Sequence, residues 1–403
     1  MTRRDVMAKK VILPYMLFVF LSNFSTILYF LTVYLEHEGF SLTTISAMLL
    51  AYQIGKFVSE VPTGYIADRY GRKASGLLGV AGLIAYYLVL LFVQSPTVLL
   101  IAFVVKGISL ACISGSIEAV YIDSVPQEAL VSLNVIERFA FYASYAISAF
   151  LGGMISAAQA YRVGLSCDIV AMVLTLAVVA LIHEPRDGSK TMARDDHVTV
   201  GQITQAILCN PCLIEAYVMD VSQAFAFVSL EDFFTLMLNE RGMNSVAAGA
   251  TVAVQLLCSA GLGLAIPSLL KRIDQRRFAL LTGCTRYLLT ALFLLPFMPR
   301  SLLPLLYILQ TVTYVFFAPI KYSIFQSNVP AQFRCSLISV QSLMVSVGAI
   351  LFYAFNALIV SSIGVSSSIL VALLLSAFLY IPALFKLTKD CGGSRSKNVS
   401  LRA

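Results

Sequence analysis

The sequence predicts an all-α integral membrane protein with twelve transmembrane helices in two pseudo-symmetric six-helix bundles. Three observations support this fold class. Hydrophobic residues form 59% of the chain and charged residues only 12%, whereas soluble domains carry about 25% charged residues. The apolar residues are grouped in twelve long runs. Two internal sequence matches, each separated by about half the chain length, indicate that the last six runs repeat the first six.

Each apolar run is long enough for a helical crossing, since a hydrocarbon core about 30 Å thick requires roughly 20 apolar residues. A helix also satisfies its backbone hydrogen bonds internally, as a bilayer demands. The first run lacks a small-residue cleavage site, so we expect it to remain as a helix. Spans 1 to 12 are predicted at residues 11–35, 42–64, 74–93, 98–121, 133–158, 162–182, 205–232, 244–269, 278–298, 302–325, 336–360 and 365–385.

Basic residues predict the orientation of these spans. With both termini and every even-numbered loop on one side, that side carries 20 Lys and Arg residues and the other side carries 3. The positive-inside rule therefore predicts cytoplasmic termini, in a multi-pass protein of the inner (plasma) membrane. A polar segment separates the two halves and predicts three regions: a six-helix bundle over 1–183, a cytoplasmic linker over 184–204, and a second bundle with a cytoplasmic tail over 205–403.

An internal repeat supports the division into halves. Residues 29–39 (YFLTVYLEHEG) match residues 232–242 (DFFTLMLNERG) at an offset of 203 positions. Residues 123–133 (DSVPQEALVSL) match residues 327–337 (SNVPAQFRCSL) at an offset of 204. Both matches join equivalent spans, so the halves are predicted to be two copies of one fold, as in a class of secondary transporters.

A charged loop, GYIADRYGRK at residues 64–73, stands between spans 2 and 3. It resembles the G-x-x-x-D-R-x-G-R-K signature of the major facilitator superfamily, and the resemblance extends over essentially the whole chain. The resemblance implies a cytoplasmic gate, in which the glycine allows close helix approach and the carboxylate interacts with a helix N-terminus. The implied gate residues are Gly64, Asp68, Arg69, Gly71, Arg72, Lys73, Asp123 and Arg138.

The same loop has a simpler interpretation as a set of topology determinants. Basic residues alone would fulfil that role, and it requires neither Gly64 nor Asp68. The second half departs from the signature, since the offset of 203 places Pro267, Lys271 and Gln275 at the equivalent positions. The predicted gate is therefore asymmetric.

Ionisable residues inside the spans are functional candidates, because burying a charge in a membrane is costly. The family resemblance implies that spans 1, 4, 7 and 10 line a central cavity, and most of these residues lie there. Asp220 is our first candidate for a proton-binding carboxylate, and an ion pair with Arg286 or Lys321 is its structural alternative. Glu118 is the second candidate, predicted to share a helical face with Ser114 and Tyr121, and a brace between helices is its alternative.

The remaining substrate-cavity candidates are polar, charged or aromatic side chains of the same four spans. On span 7, Gln223, Phe227 and Glu231 continue the helical stripe of Asp220. The full set is Asn23, Tyr29, Lys106, Ser114, Tyr121, Gln223, Phe227, Glu231 and Lys321. A family pattern of antiporters on span 5 is represented by SYAISAFLGG at 144–153, which lacks its proline and supports close helix packing.

These features predict a proton-coupled exporter of small hydrophobic or cationic compounds that works by alternating access, resembling bacterial drug–proton antiporters. The proton gradient is the expected driving force, with no cofactor and no metal. The expected partners are a small-molecule substrate and the lipid bilayer, without nucleic acid, and the chain is expected to be a monomer.

A second hypothesis is a proton-coupled importer or facilitator of a small anionic metabolite, attracted by Lys106 and Lys321. An enzyme or receptor is not expected, because no nucleotide-binding loop and no catalytic Ser-His or metal constellation is found in the sequence. The CNPC sequence at 209–212 lacks the further His or Cys ligands of a metal site.

Overall fold

The computed structural model describes residues 3–114, 116–124, 127–182, 200–270, 273–329 and 334–391. Within these ranges the secondary structure is entirely helical. The first half contains α1 (Arg3–Ser22), α2 (Leu31–His37), α3 (Leu42–Tyr70), α4 (Arg72–Phe92), α5 (Pro96–Ile113), α6 (Ser116–Ser124), α7 (Gln127–Ala157) and α8 (Tyr161–Leu181). The second half contains α9 (Val200–Leu208), α10 (Pro211–Glu240), α11 (Ser245–Leu270), α12 (Gln275–Leu294), α13 (Leu303–Asn328), α14 (Arg334–Ile363) and α15 (Val365–Lys386).

Each predicted span coincides with one helix or with two consecutive helices. In the described part of the chain, ten helical segments are long and apolar enough to cross a membrane. Span 2 corresponds to α3, a helix of 29 residues with several charges, and span 1 contains the shorter apolar helix Ile12–Ser22. The all-helical membrane fold predicted from the apolar runs is therefore confirmed.

Contacts divide the chain into two compact units. The first unit consists of Met1–Ser189 with Asp232–Ala260, and the second consists of Lys190–Glu231 with Gly261–Ala403. The end of α10 and the start of α11 thus pack with the first half of the chain. Two hydroxyls fasten α10 within the first unit: Thr32 Oγ1 donates to the Asp232 carbonyl at 2.9 Å, and Thr235 Oγ1 donates to the Tyr29 carbonyl.

Glycines bring α7 and α11 into close contact in the first unit. A Cβ built at Gly153 would lie 2.7 Å from the Ser245 carbonyl oxygen, and one built at Gly249 would overlap the Ala149 carbonyl oxygen. The small residues predicted to permit close packing on span 5 therefore do so, because any side chain here would push the two backbones apart.

Span 1 is not one helix. Helix α1 ends at Ser22, residues 23–27 are non-helical, and a 3₁₀ turn (Leu28–Phe30) leads into α2. Asn23 Nδ2 donates to the Val19 carbonyl at 2.7 Å and satisfies one acceptor at the end of α1. An uninterrupted apolar run predicts an unbroken helix, and the break depends on contacts with α7 and α8 that are distant in sequence.

The predicted linker is also partly ordered as a helix. Residues 183–199 lie outside the described residues, but Val200–Leu208 forms α9 immediately before α10. Ile203, Ala206 and Ile207 lie on one half-buried face of α9. This apolar periodicity explains why the last residues of the linker region are helical.

Candidate functional site

Asp220 lies in the second unit, about one third of the way along α10 (Pro211–Glu240), and its side chain is buried. Its Oδ1 forms an ion pair with Nζ of Lys321 on α13. Its Oδ2 accepts a hydrogen bond of 2.9 Å from Nε2 of Gln341 on α14. Three helices thus contribute to one buried cluster, in which each carboxylate oxygen has a partner. Such pairing is required because an isolated buried charge is strongly destabilising.

Two other members of the α10 stripe belong to a separate cluster in the second unit. Gln223 Nε2 donates to the Tyr380 hydroxyl at 3.2 Å. The guanidinium carbon of Arg286 lies 3.6 Å from the centroid of the Phe227 ring and 4.2 Å from the centroid of the Tyr314 ring. The stripe of span 7 therefore contacts two different clusters, because α10 is surrounded by other helices of the unit.

Arg286 is buried on α12, and its charge is stabilised mainly by aromatic rings. Its Nε donates to Gln310 Oε1 at a long 3.4 Å. Glu231, at the end of the α10 stripe, is exposed and interacts electrostatically with Arg286. A guanidinium placed over aromatic faces keeps its charge through cation–π interactions. Of the two bases considered as partners of Asp220, the structure selects Lys321.

Lys106 on α5 occupies an aromatic site in the first unit. Its Nζ lies 5.0 Å from the Tyr52 ring centroid, 5.1 Å from that of Tyr86 and 5.7 Å from that of Phe103. Asp232 is close enough to interact electrostatically with Lys106. The cation is thus held between three rings and one carboxylate, all of them in the same unit.

The cluster around the second proton-site candidate differs from the prediction. Helix α5 ends at Ile113 and α6 begins at Ser116, so Ser114 is not on the same helix as Glu118 and Tyr121. Glu118 is exposed, whereas Tyr121 is buried. The Tyr121 ring stacks on the Tyr15 ring with 3.8 Å between the ring centroids. The predicted shared helical face of these three residues was therefore wrong, because it assumed one continuous helix for span 4.

The two candidates from span 1 lie at its break. Asn23 caps the end of α1, and the Tyr29 ring contacts the Tyr145 ring edge-on at 6.1 Å. Both residues are half-buried. The break leaves the Asn23 amide hydrogen-bonded to the end of α1 and puts the Tyr29 ring against α7, which accounts for part of the polarity that the sequence shows in this span.

The gate motif forms the junction between α3 and α4. Gly71 has φ +100° and ends α3 by donating its N–H to the Ala67 carbonyl at 3.1 Å. Lys73 Nζ donates to the Ala180 carbonyl at 2.6 Å, where the end of the α8 dipole favours a cation. Arg69 donates to the Tyr65 hydroxyl at 2.7 Å.

The described contacts of the other motif residues do not form a gate. Among the described residues, no atom lies within 4 Å of a Cβ built at Gly64. Arg138 is exposed and interacts electrostatically with Glu137. Arg72 begins α4, and the side chains of Asp68 and Asp123 lie outside the described residues. The gate function of the motif stays a prediction.

Sequence reasoning missed an extensively hydrogen-bonded carboxylate of the first unit. Asp168 on α8 is fully buried and accepts hydrogen bonds from both Thr26 donors, from Ser25 Oγ and from the Ile27 N–H, at 2.7 to 3.2 Å. Tyr87 Oη donates to Ser25 Oγ at 3.0 Å. An acid within span 6 was the available signal, since a buried charge in a membrane helix demands an explanation.

No metal site is found in the described ranges, where His, Cys, Asp and Glu form no group of three or more suitable for a metal ion. The ionisable clusters therefore consist of ion pairs, hydrogen bonds and cation–π contacts. Such clusters can change charge by gaining or losing a proton without a bound cofactor.

Comparisons with known proteins place the chain in a family. The family model described as Major Facilitator Superfamily matches residues 15–285. No curated protein sequence matches the chain. The nucleoside transporter NupG superposes with a TM-score of 0.78 at 15% identity, covering 95% of this chain and 99% of NupG.

Two further solved structures are similar. A D-xylose–proton symporter has a TM-score of 0.74 at 11% identity, covering 95% of this chain and 97% of the symporter. A mutant of the peptide transporter POT has a TM-score of 0.69 at 13% identity, with coverage of 96% and 95%. At such low identities these structures support the fold and do not specify a substrate.

Proposed function

Because the chain belongs to the Major Facilitator Superfamily of secondary transporters, we propose that it is a proton-coupled exporter of small hydrophobic or cationic compounds. It would work by alternating access in the plasma membrane, with cytoplasmic termini. The observation that supports proton coupling is the buried ion pair of Asp220 and Lys321. Asp220 is the proposed proton-binding carboxylate.

The chemistry of this pair links protonation to rearrangement. A proton on Asp220 neutralises the carboxylate and leaves the buried ammonium of Lys321 without its counter-ion. An unpaired buried charge costs several kcal/mol, so a protonated Asp220 favours a conformation that hydrates Lys321. A cationic compound at Asp220 would compete with the proton for the same carboxylate. Mutually exclusive binding of a proton and a cation is the basis of exchange.

The proton gradient drives such an exchange. Exchange of one proton for one monovalent cation moves no net charge, so only the pH difference drives it, and one pH unit yields about 1.4 kcal/mol, or about ten-fold accumulation. Exchange of a proton for a neutral compound also draws on the membrane potential. One charge crossing 100 mV yields about 2.3 kcal/mol. This corresponds to roughly fifty-fold accumulation per proton. One titrating carboxylate is therefore sufficient for a useful gradient of compound.

Proteoliposomes test the proposal directly. Ethidium serves as the cationic probe, entrapped pyranine reports internal pH, and a pH gradient of either direction is imposed. The expected result is gradient-driven ethidium movement with opposite proton flux, lost in Asp220→Asn. Glu38→Gln is the control. It changes a carboxylate that lies outside the predicted spans and accepts a hydrogen bond from Gln94, so this variant should keep coupled transport. Coupled transport that survives Asp220→Asn would contradict the assignment of Asp220.

Lys106 supports a second candidate function, the import of a small anionic metabolite. Its ammonium lies among three aromatic rings, and it would attract an anion if Asp232 became protonated or moved away. This candidate predicts proton-driven uptake of an organic anion that is lost in Lys106→Gln. The direction of transport in the same vesicles distinguishes it from export.

A further inference from the structure

Two adjacent cavities of the second unit meet at Lys386, near the end of α15. The first cavity, about 530 Å³, lies between the start of α12 and the end of α15. Four cationic side chains line it, namely Arg276, Arg277, Lys386 and Lys389. Positive charge is therefore concentrated where the first turn of α12 lies beside the last turn of α15.

Carboxylates neutralise only part of this charge. Arg277 Nε lies 3.4 Å from Asp274 Oδ2, and Lys386 Nζ lies 3.0 Å from Glu215 Oε1. Asp274 also caps α12 by accepting from the Arg276 N–H at 3.0 Å. The side chains of Arg276 and Lys389 form no ion pair with another residue in the described ranges. The cavity thus has an excess of positive charge.

The second cavity is an apolar groove of about 710 Å³ between α10 and α15. Ile214 and Val218 form one wall, and Leu374 and Phe378 contribute to the other. Leu374 is 61% exposed and Phe378 is 81% exposed. Both lie within the apolar segment Val365–Lys389, where a spanning helix meets lipid tails. The groove therefore suits an acyl chain.

We propose that the two cavities together bind one anionic phospholipid of the cytoplasmic leaflet. Its phosphate contacts Arg276 and Lys389, and one acyl chain lies in the groove beside Phe378. Basic pockets between helix ends on the cytoplasmic side are known to suit anionic headgroups. The orientation predicted from the charge asymmetry puts this helix end on that side. A free phosphate would use the cationic cavity alone, whereas a lipid also explains the adjoining groove.

Native mass spectrometry of the full-length detergent-solubilised protein tests the site. Phosphatidylglycerol and phosphatidylcholine with identical chains are the probes, and the bound fraction of each is titrated. Phosphatidylglycerol should bind more tightly than phosphatidylcholine. Each cation near the membrane surface contributes about five-fold to the affinity, so R276Q/K389Q should weaken phosphatidylglycerol binding by roughly twenty-five-fold. Thermal unfolding of every variant confirms that the protein is folded.

Two further variants separate charge from groove. K9Q/K10Q removes two charges from the start of α1, in the other unit, and should leave phosphatidylglycerol affinity unchanged. Ala377→Trp fills the groove without changing charge and should weaken binding of both lipids. Equal affinity for the two lipids, or R276Q/K389Q binding like the parent, would overturn the proposal. Complete competition by inorganic phosphate, together with an unaffected Ala377→Trp, would identify a site for free anions and overturn the lipid assignment.

Discussion

The carboxylate of Asp168 on α8 accepts hydrogen bonds from the backbone N–H and the side-chain hydroxyl of Thr26, at 2.7 and 3.0 Å. Thr26 lies in the non-helical segment between α1 and α2. The N–H groups at the start of a helix lack intrahelical partners, and water cannot supply one at this buried position. Asp168 therefore makes the break in span 1 possible.

Asp168→Asn should destabilise the protein. The substitution removes the charge and replaces one acceptor oxygen with a donor that faces other donors. Hydrogen bonds to a charged group contribute about 1.5–3 kcal/mol each, so we expect a loss of roughly 3 kcal/mol or more. Thermal unfolding in detergent measures this effect. Asp274→Asn, which weakens an exposed cap on α12, should cost only about 1 kcal/mol or less. Equal losses for the two variants would argue against the role of Asp168.

The contact between Gly153 and Gly249 predicts a conformational effect. A Cβ at Gly249 overlaps a backbone oxygen, so Gly249→Ala should separate α7 from α11. Overpacking of this kind costs about 1–3 kcal/mol, which raises the separated population by roughly five- to 150-fold. Val252 is buried one turn away. Alkylation of Val252→Cys in a cysteine-free background should therefore accelerate when Gly249→Ala is added.

Gly263 offers a matched control on the same helix. No described atom lies within 4 Å of a Cβ built there. Gly263→Ala should leave the alkylation rate of Val252→Cys unchanged, because alanine is accepted in an open helical position. Similar acceleration by both substitutions would show that the effect does not come from the α7–α11 contact.

The charged motif contains two glycines with separable roles. Gly71 has φ +100°, a region that strongly favours glycine, so Gly71→Ala should cost about 1–2 kcal/mol of stability. Gly64 lies inside α3 with free space around it, so Gly64→Ala should preserve or slightly increase stability. If Gly64 permits helix approach during transport, its variant should lose transport in vesicles while melting normally. Loss of stability in Gly64→Ala would refute this division.

The sequence predicts the positions of the membrane helices well, because the length of an apolar run and the thickness of a bilayer are local constraints. It also places Asp220 near the middle of its span, where the structure buries the side chain. It does not determine which base neutralises Asp220. That choice depends on how α10, α13 and α14 converge, and their residues are about a hundred positions apart in sequence.

The break in span 1 has a similar origin. Residues 11–35 form an apolar run that satisfies every local rule for one helix. The structure replaces the helical hydrogen bonds of the Thr26 and Ile27 N–H groups with bonds to Asp168, which is more than 140 residues away, and that of the Ser25 N–H with a bond to Ser148. The acid in span 6 indicates that a polar partner is needed, but not where that partner lies. Tertiary hydrogen bonds here override local preference.

Glu36, at the end of α2, predicts a small dependence of stability on pH. Desolvation by the surrounding protein raises the pKa of Glu36 above its ordinary value of 4.5. A raised carboxyl pKa means that the folded protein binds the proton more tightly than the unfolded chain. Its contribution to stability is thus fully present below pH 4.5 and is lost as pH rises through the folded-state pKa. The effect should be modest because Glu36 remains exposed.

Melting temperatures of the parent and Glu36→Gln, measured from about pH 4 to 7, check this prediction. Their difference isolates Glu36 from the other titrating groups. The melting temperature of the parent should fall relative to that of Glu36→Gln as pH increases. A difference that is constant over this range would contradict the raised pKa.

The pair of Asp220 and Lys321 predicts strongly non-additive stability effects. Asp220→Asn leaves the Lys321 ammonium buried beside a neutral amide, and Lys321→Gln leaves the carboxylate without its cation. Removal of one partner from a buried pair costs about 3–5 kcal/mol, whereas replacement of both is often nearly neutral. We therefore expect the double variant to melt at a higher temperature than either single variant.

The double variant also separates stability from coupling. If Asp220 carries the proton, the stable double variant should still fail to couple ethidium movement to a pH gradient, because no titratable group remains at this position. In the Asp220→Asn side chain the amide oxygen can still accept the hydrogen bond from Gln341 Nε2. That hydrogen bond does not supply a titratable group, so it should not restore coupling. Additive losses of stability would show that the two charges are independent, and restored coupling in the double variant would assign proton transfer to another carboxylate such as Glu118.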